Sequence, residues 1–389
     1  MIIVAEFYKM HHEHVPVNAS LLYIISRQYS NELVHFYAEE NHSNCVKSYL
    51  ENNDLHTPNV VWNPQKYFLK MGEGKKFLLK RIAKELVSII NLSLSLRRFK
   101  AKKLFLLYLS PVTSIFFKAF LWRKGSVVIT LHGDVELIRL KSNFMQNFLG
   151  RCFRVSFHIK RLNCIYLALE EVIRTNLLKT GLLKKEELIA VPHPYIYRND
   201  YPNIVKHTHP YIIGYIGFAS IEKNAFYFYQ VAQNFKTSIK KNCIEFILIG
   251  KNENIPSSVV NNLVVGGDNK EMLSRTAFEK QIERIHYAIF FHDNKNYRFI
   301  SSGAIHDAFN FEKPIIALRN DLFESFFERA GKVGFLCRDI EEIELVIQNI
   351  LSEKITSTEY EEMKANMQTF KKNHNLDNIR NTLFSQLST

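Results

Sequence analysis

Residues 292–318 read HDNKNYRFISSGAIHDAFNFEKPIIAL, and the rest of the chain can be built outward from them. An apolar run over 288–291 enters a polar loop, a helical pattern covers 303–311, and a second apolar run occupies 315–318. Strand, loop, helix and strand in that order form the repeating unit of a parallel sheet covered by helices. Ser301 and Ser302 are natural N-cap residues. Gly303, in the first turn, removes the Cβ that would hold a ligand off the backbone. A helix that starts at the carboxyl edge of a strand offers unpaired N–H groups and about half a positive charge to an anion. Asp307 lies four residues further on, hence on the same helix face, where its carboxylate can accept from a ribose diol. The segment reads either as a nucleotide cradle or as a capped helix with a surface aspartate, and these residues alone leave both open.

The 389 residues have room for two domains. A hydrophobic content of 47% with 23% charged residues describes a globular protein. The five cysteines (Cys45, Cys152, Cys164, Cys243, Cys337) include no C-x-x-C pair, which argues against a zinc site or disulfide framework and for a reducing compartment. The opening MIIVAEF reads as a strand without a basic leader, so no secretory signal is expected. The longest apolar run, 104–122, is broken by Ser110-Pro111 and contains Lys118. It therefore reads as strand then helix, short of the roughly 20 apolar residues of a membrane span. Net charge is +13, and residues 65–125 alone hold 15 Lys or Arg against Glu73 and Glu85. The excess is a regional patch.

Strands are expected over 2–7, 33–37, 60–62, 104–109, 127–131, 164–169 and 188–191, alternating with helices over 16–29, 75–90, 111–122, 135–148 and 170–179. A polar linker over 195–210 leads to a second set, with strands over 212–216, 244–249, 288–291 and 315–318. Residues 340–387 read as helical, with breaks near 355–358 and 373–375. The expected division is 1–200, 201–370 and a helical tail, 371–389, placed back against the first domain.

Several constellations carry chemistry. GYIGFASIEKN (214–224) is a strand running into a loop, and Lys223 beyond Gly217 can reach a diphosphate in the crevice outside the strand ends, or can simply be solvated. IEFILIG (244–250) ends at Gly250, in a turn that either seats a base or is only a turn. TLHGD (130–134) puts His132 at a strand end, where an imidazole can bind a sugar hydroxyl and the charge developing at a breaking bond; the alternative is a helix cap, and Asp134 reads as an N-cap before it reads as a base. His11, His12 and His14 share one loop with Glu13 and no second ligand group, so no metal site is expected there, while Glu13 or His14 can assist deprotonation. Over 75–90, Phe77, Leu78, Ile82, Leu86 and Ile89 follow helical spacing opposite a cationic face. That pattern suits an anionic membrane surface. A core-packed helix with a solvated basic face is the plainer reading, and no nucleic-acid-binding motif accompanies the patch.

The order GYIG…EKN, FILIGKNEN, SSGAIHDAFNFEKPIIA and ERAGKVGFL, followed by an acidic helix, resembles the C-terminal half of GT-B fold glycosyltransferases. These are the enzymes with two Rossmann-like domains that build surface polysaccharides and glycolipids. LALEEVIRTNLLKTGLLKKEELIAVPHPYIY (167–197) is similar to their last N-domain strand, helix and crossover, so the resemblance spans roughly 125–350. It implies an α/β GT-B fold of two Rossmann-like domains and a retaining hexosyltransferase. The donor would be a nucleotide-diphosphate sugar of UDP or GDP type, the acceptor a glycan or lipid-linked glycan, with no metal or other cofactor. The cysteine usage and the cationic, apolar-striped segment point to a cytoplasmic protein, peripheral on the inner membrane face through residues 65–125, with no nucleic-acid partner. Carried over residue by residue, the diphosphate-gripping Arg and Lys fall on Phe218 and Lys223, and the paired Glu residues fall on Phe299 and Asp307. With only the Lys kept, two positions occupied by Phe and one Glu shortened to Asp, Arg298 becomes the candidate for the missing positive charge. The resulting catalytic set is His132, Lys223 and Arg298, and the nucleotide set is Ser301, Ser302, Gly303, Asp307, Gly217 and Gly250. The rival readings are a sugar-nucleotide epimerase or an inverting transferase on the same fold, or a non-catalytic basic membrane- or nucleic-acid-binding protein.

Overall fold

The computed structural model describes residues 1–66, 78–99, 102–121, 125–140, 143–161, 163–198 and 206–388. Residues 75–77 of the expected basic helix, residue 122 and the linker positions 199–205 lie outside them. The chain forms two compact units. The first comprises Met1–Ile196, Phe299–Ser301 and His374–Thr389, and the second Tyr197–Arg298 and Ser302–Asn373.

In the first unit β1 (Ile2–Glu6), β2 (Val34–Glu39), β3 (Val60–Gln65), β4 (Lys103–Leu106), β5 (Ser126–Thr130), β6 (Cys164–Leu169) and β7 (Leu188–Val191) make one parallel sheet in the order 3-2-1-4-5-6-7. β1 is buried along its whole length because both sheet faces are covered. Ile3, Ala5, Leu104 and Val127 meet Ile89, Phe153 and Phe157 on one face. Ile2, Val4 and Phe36 meet Leu21, Leu22 and Ile25 of helix Val15–Gln28 on the other. The chain builds outward from β1 to β3 and then restarts at β4, so the switch point lies between β1 and β4.

Two readings of this unit need correction. No helix runs over 135–148: Gly133–Ile138 is a 3-10 turn, and an α-helix runs Phe144–His158, capped by the Asn143 side chain accepting from the Gln146 N–H at 2.9 Å. A Cβ on Gly150 would lie 2.1 Å from the Leu137 carbonyl oxygen, so glycine is what lets the turn and the helix pack this closely. The basic helix, Leu78–Phe99, is turned inward. Ile82 and Ile89 of its apolar stripe fill the core, and Arg81 and Lys84 are buried too. Among the described residues no helix is long and apolar enough to cross a membrane.

The second unit has β8 (Tyr211–Ile216), β9 (Ile244–Ile249), β10 (Val264–Val265), β11 (Tyr287–Phe290), β12 (Ile315–Leu318) and β13 (Gly334–Cys337), all parallel, in the order 10-9-8-11-12-13. Its switch point lies between β8 and β11. Helix Leu376–Ser388 belongs to the first unit, where Ile379, Leu383 and Phe384 are buried in the same core as Leu21. Its Gln386 carboxamide donates to the Ala190 carbonyl (2.8 Å) and accepts from the Ala190 N–H (3.3 Å), which closes the exposed edge of β7.

Candidate functional site

In the second unit the groups at the carboxyl edge converge on the switch point. β8 runs into Gly217, whose φ of +100° is easiest for glycine. Gly217 lies beside the start of helix Gly303–Asn310, since a Cβ on it would sit 3.8 Å from Ala304 Cβ. Gly250 has a structural task at the same place. A Cβ there would stand 2.2 Å from the Gly217 carbonyl oxygen, so its absence lets the two strand ends close up, with the Gly217 N–H donating to Ile249 at 2.8 Å. Gly303 is exposed, and a Cβ on it would meet nothing within 4 Å. No acidic residue occupies the first turn, so this helix start keeps its full positive end.

Lys223 is half-buried in the loop after β8, its ammonium 5.8 Å from the Phe218 ring, and burial lowers its pKa to about 8 against the opposing pull of Glu253 and Glu222. The neighbouring Asn224 amide donates to the Phe291 carbonyl (3.1 Å) and to Asp293 (3.0 Å), which ties this loop to the end of β11. There His292 is buried against Tyr297, ring centroids 4.2 Å apart, with neither ring nitrogen hydrogen-bonded. Burial, and then Lys223, hold its pKa well below that of an ordinary imidazole. Asp307 is held by Arg275 at 3.3 Å. Neither Arg275 nor His292 was singled out from the sequence, because no local spacing links either to this helix.

Other predicted residues sit differently. Ser302 is the N-cap residue but its hydroxyl makes no capping bond. The Ser301 hydroxyl is buried without a hydrogen-bond partner, and its residue groups with the first unit. Arg298 is not a spare positive charge, because it pairs with Asp321 at 3.6 Å. Phe299 is a core residue of the first unit, its N–H donating to Glu136 at 2.6 Å and the Arg139 guanidinium 5.6 Å from its ring. A side chain so placed explains why no carboxylate stands at 299.

In the first unit a dense set of polar groups gathers where β1, β4 and β5 end. His132 Nε2 lies 2.8 Å from the Leu107 carbonyl, which accepts only, so this nitrogen carries the proton. Its Nδ1 is then an acceptor, and His14 Nδ1, 2.9 Å away, is the donor. Both imidazoles are neutral: burial, reinforced by Lys9, lowers His132 to about 3 and holds His14 well below the usual range. His132, expected to meet a sugar, thus has both nitrogens engaged, and His14 Nε2 is the lone pair this couple has left to offer. Glu13 is bound by Arg81 at 2.9 Å. Asp134 is no N-cap. One of its oxygens accepts from the Tyr108 hydroxyl at 2.5 Å, the other is buried without a partner, and burial raises its pKa although Lys9 opposes. Glu6, at the end of β1, accepts from the Tyr8 and Lys9 amides (both 2.9 Å) and leaves its second oxygen unpaired. Lys9 lies 4.6 Å from the Tyr108 ring. Among the described residues no three His, Cys, Asp or Glu side chains are grouped to hold a metal ion.

No family model and no curated protein matches this sequence. Solved structures match its fold. A TarM variant from S. aureus, in complex with fondaparinux, α-GlcNAc-glycerol and UDP, superposes with a TM-score of 0.65 at 9% identity, over 100% of this chain and 99% of that one. Sucrose-phosphate synthase from Thermosynechococcus elongatus gives 0.64 at 13% identity, over 99% and 98%. UDP-GlcNAc 2-epimerase from Neisseria meningitidis bound to UDP-GlcNAc gives 0.54 at 12%, over 100% and 99%. This chain therefore has the GT-B fold that the sequence reading anticipated, built as two parallel-sheet α/β units of seven and six strands. At such identities the likeness establishes the fold and leaves the chemistry to be argued from the site.

Proposed function

We propose that this protein is a glycosyltransferase that moves a sugar from a nucleotide-diphosphate donor to a glycan acceptor. The observation that carries the proposal is the open, acid-free start of helix Gly303–Asn310 beside the Gly217 loop, at the switch point of the second sheet. The Ile305 N–H turns back to the Ser302 carbonyl at 3.3 Å, and the N–H groups of Gly303 and Ala304 precede any i−4 partner in the helix, the arrangement that binds phosphate. Lys223, on the loop that follows β8, supplies the mobile positive charge, and Asp307, steadied by Arg275, receives ribose hydroxyls. Catalysis rests on stabilising the departing diphosphate with this fixed positive potential. The charge comes from the helix start and Lys223, so the proposed step needs no bound metal. In the first unit the acceptor would meet His14 Nε2, which can take a hydrogen bond or a proton from its hydroxyls. The UDP, UDP-GlcNAc and glycan ligands in the structural neighbours support a UDP-type donor and a glycan acceptor.

The test begins with a panel of nucleoside diphosphates in a thermal-unfolding assay, because a ligand that binds only the folded state raises the melting temperature by an amount that grows with the logarithm of its concentration over Kd. The matching nucleotide sugar is then incubated with glycan acceptors, and products are read by mass spectrometry. One stabilising nucleotide followed by sugar transfer is the expected result. Conversion of UDP-GlcNAc to its 2-epimer without transfer would assign the epimerase chemistry of the third neighbour instead. If no nucleotide stabilises the protein, the site reading falls.

A further inference from the structure

The second unit carries a cleft that the proposed reaction does not use. It lies between helix Phe226–Asn234 and the stretch 256–261 that leads into edge strand β10, and encloses about 590 Å³. None of Gly217, Lys223, Gly250, Gly303 and Asp307 lines it. The helix gives Phe228 and Val231 to the core, beside Phe246, and leaves Gln230 and Gln233 exposed. These two stand three residues apart, hence on one helix face. The opposite wall is fixed by Asn261, whose amide donates to the Tyr229 carbonyl (3.1 Å) and whose side-chain oxygen accepts from the Leu263 N–H (3.2 Å). Within that stretch the Val259 N–H turns back to the Pro256 carbonyl at 2.9 Å. The walls are therefore held before a ligand arrives, which removes the ordering cost of forming them on binding.

The lining selects the ligand. Phe226, Pro256, Val259 and Val260 supply apolar surface. Gln230, Gln233 and Ser258 supply polar side chains with no hydrogen-bond partner among the described residues. Among the described residues no Lys, Arg, His, Asp or Glu lines the cleft, although Lys, Arg, Asp and Glu make up 23% of the chain. A phosphate or an amine finds no counter-charge there. A carboxamide both donates and accepts, as a sugar hydroxyl does. A pyranose ring presents an apolar C–H face edged by such hydroxyls, which matches an apolar wall bordered by free amides. An acyl chain would use only the wall. The volume is that of an ordinary small-ligand site. We propose that this cleft binds a neutral oligosaccharide, separately from the nucleotide residues, and so keeps a glycan acceptor on the protein while its end is extended. The binding site stands on these residues alone, and its acceptor role rests on the transferase reading. A tethered acceptor is held at a raised effective concentration, which acts on KM and leaves kcat alone.

The full-length protein is titrated in a calorimeter with malto-, cello-, manno- and chitohexaose, and with a sulfated heparin hexasaccharide as the charged comparison. At least one neutral hexamer should bind, and the heparin hexamer should not. Gln230→Ala combined with Gln233→Ala should weaken that binding about tenfold, the loss of two neutral hydrogen bonds. Its melting temperature should hold, because both positions are exposed and alanine favours the helix. Its stabilisation by nucleotide should match the wild type. With the donor that the nucleotide panel identifies, the variant's KM for the hexamer should rise about tenfold at unchanged kcat, while its KM for a monosaccharide acceptor stays put. Failure of all four neutral hexamers to bind overturns the proposal, as does equal affinity of wild type and double variant, or equal binding of the heparin hexamer. A dimer in sedimentation that the double variant abolishes overturns it too, and assigns the cleft to self-association. Equal KM values for wild type and variant overturn the acceptor role. Hexamer binding that the variant loses, in a protein that no nucleotide stabilises, would remove the transferase reading and leave the glycan site standing.

Discussion

Replacing Gly303 by Asp separates folding from binding at the helix start. The position is exposed and a side chain there meets nothing within 4 Å, so the substitution introduces no clash. Removing a glycine from a helix recovers about 0.5–1 kcal/mol of backbone entropy. An acidic group in the first turn adds about 0.3–1 kcal/mol by facing the positive end of the dipole. Gly303→Asp should therefore fold at least as stably as the wild type. Binding goes the other way. A carboxylate about 5 Å from a diphosphate charge costs roughly 3 kcal/mol at an effective dielectric near 20. Solvent screening at an exposed site reduces this to about 2 kcal/mol, or about thirtyfold in Kd. Isothermal titration with the stabilising nucleoside diphosphate gives the affinity, and thermal unfolding without ligand gives the stability. Gly303→Asn, of similar size but neutral, should lose no more than a few-fold. If Gly303→Asp keeps its affinity within about twofold while remaining folded, the diphosphate does not sit at this helix start, and the argument from open space and unopposed dipole is wrong.

Lys223→Met should weaken nucleotide binding by roughly tenfold or more, the loss of one charge-assisted contact. Because burial sets Lys223 near 8, its ammonium is lost as pH rises through that value, so wild-type affinity should fall between pH 7 and pH 9 while the Met variant stays flat; a flat wild-type profile by titration calorimetry would show that Lys223 does not touch the phosphates. Glu85 is fully buried, and burial raises its pKa to about 7 although Ser110 and Thr113 hydrogen bonds oppose the shift. The folded state then binds more protons than the unfolded chain between about pH 4.5 and 7, so this group makes stability fall as pH rises across that window. Glu85→Gln should remove this slope and raise stability at pH 8 by about 2–3 kcal/mol relative to wild type; denaturation curves showing no gain at pH 8 would refute the buried-carboxyl account.

Strands with a long apolar run, such as Cys164–Leu169 and Ile244–Ile249 (apolar but for Glu245), could be placed to the residue because burial on both faces demands that run. β10 was not anticipated, since two residues leave no period to read, and neither was β13, whose GFLC opens on glycine and is only partly buried. The turn and helix around Gly150 were misplaced because the decisive contact, Leu137 against Gly150, is tertiary. In the candidate site, the Gly217 loop and the Gly303 helix start were legible from local residue types. The partners that fix the remaining groups were not: Arg275 with Asp307, Asp321 with Arg298, and His14 with His132 join residues far apart in the chain. The amphipathic reading of helix Leu78–Phe99 identified the right periodicity and the wrong neighbour, because spacing cannot tell a face that meets the core from one that meets lipid.

The first unit is begun before the second and completed after it. Its core keeps an open seat for Ile379, Leu383 and Phe384, and β7 an uncovered edge at Ala190, until residues 374–388 emerge from the ribosome. Throughout synthesis of the intervening second unit, that hydrophobic notch and unpaired strand are what a nascent-chain chaperone would meet, and what a premature stop would leave open to aggregation. A fragment cut at the first crossing, after Ile196, is therefore not a stand-in for the first unit.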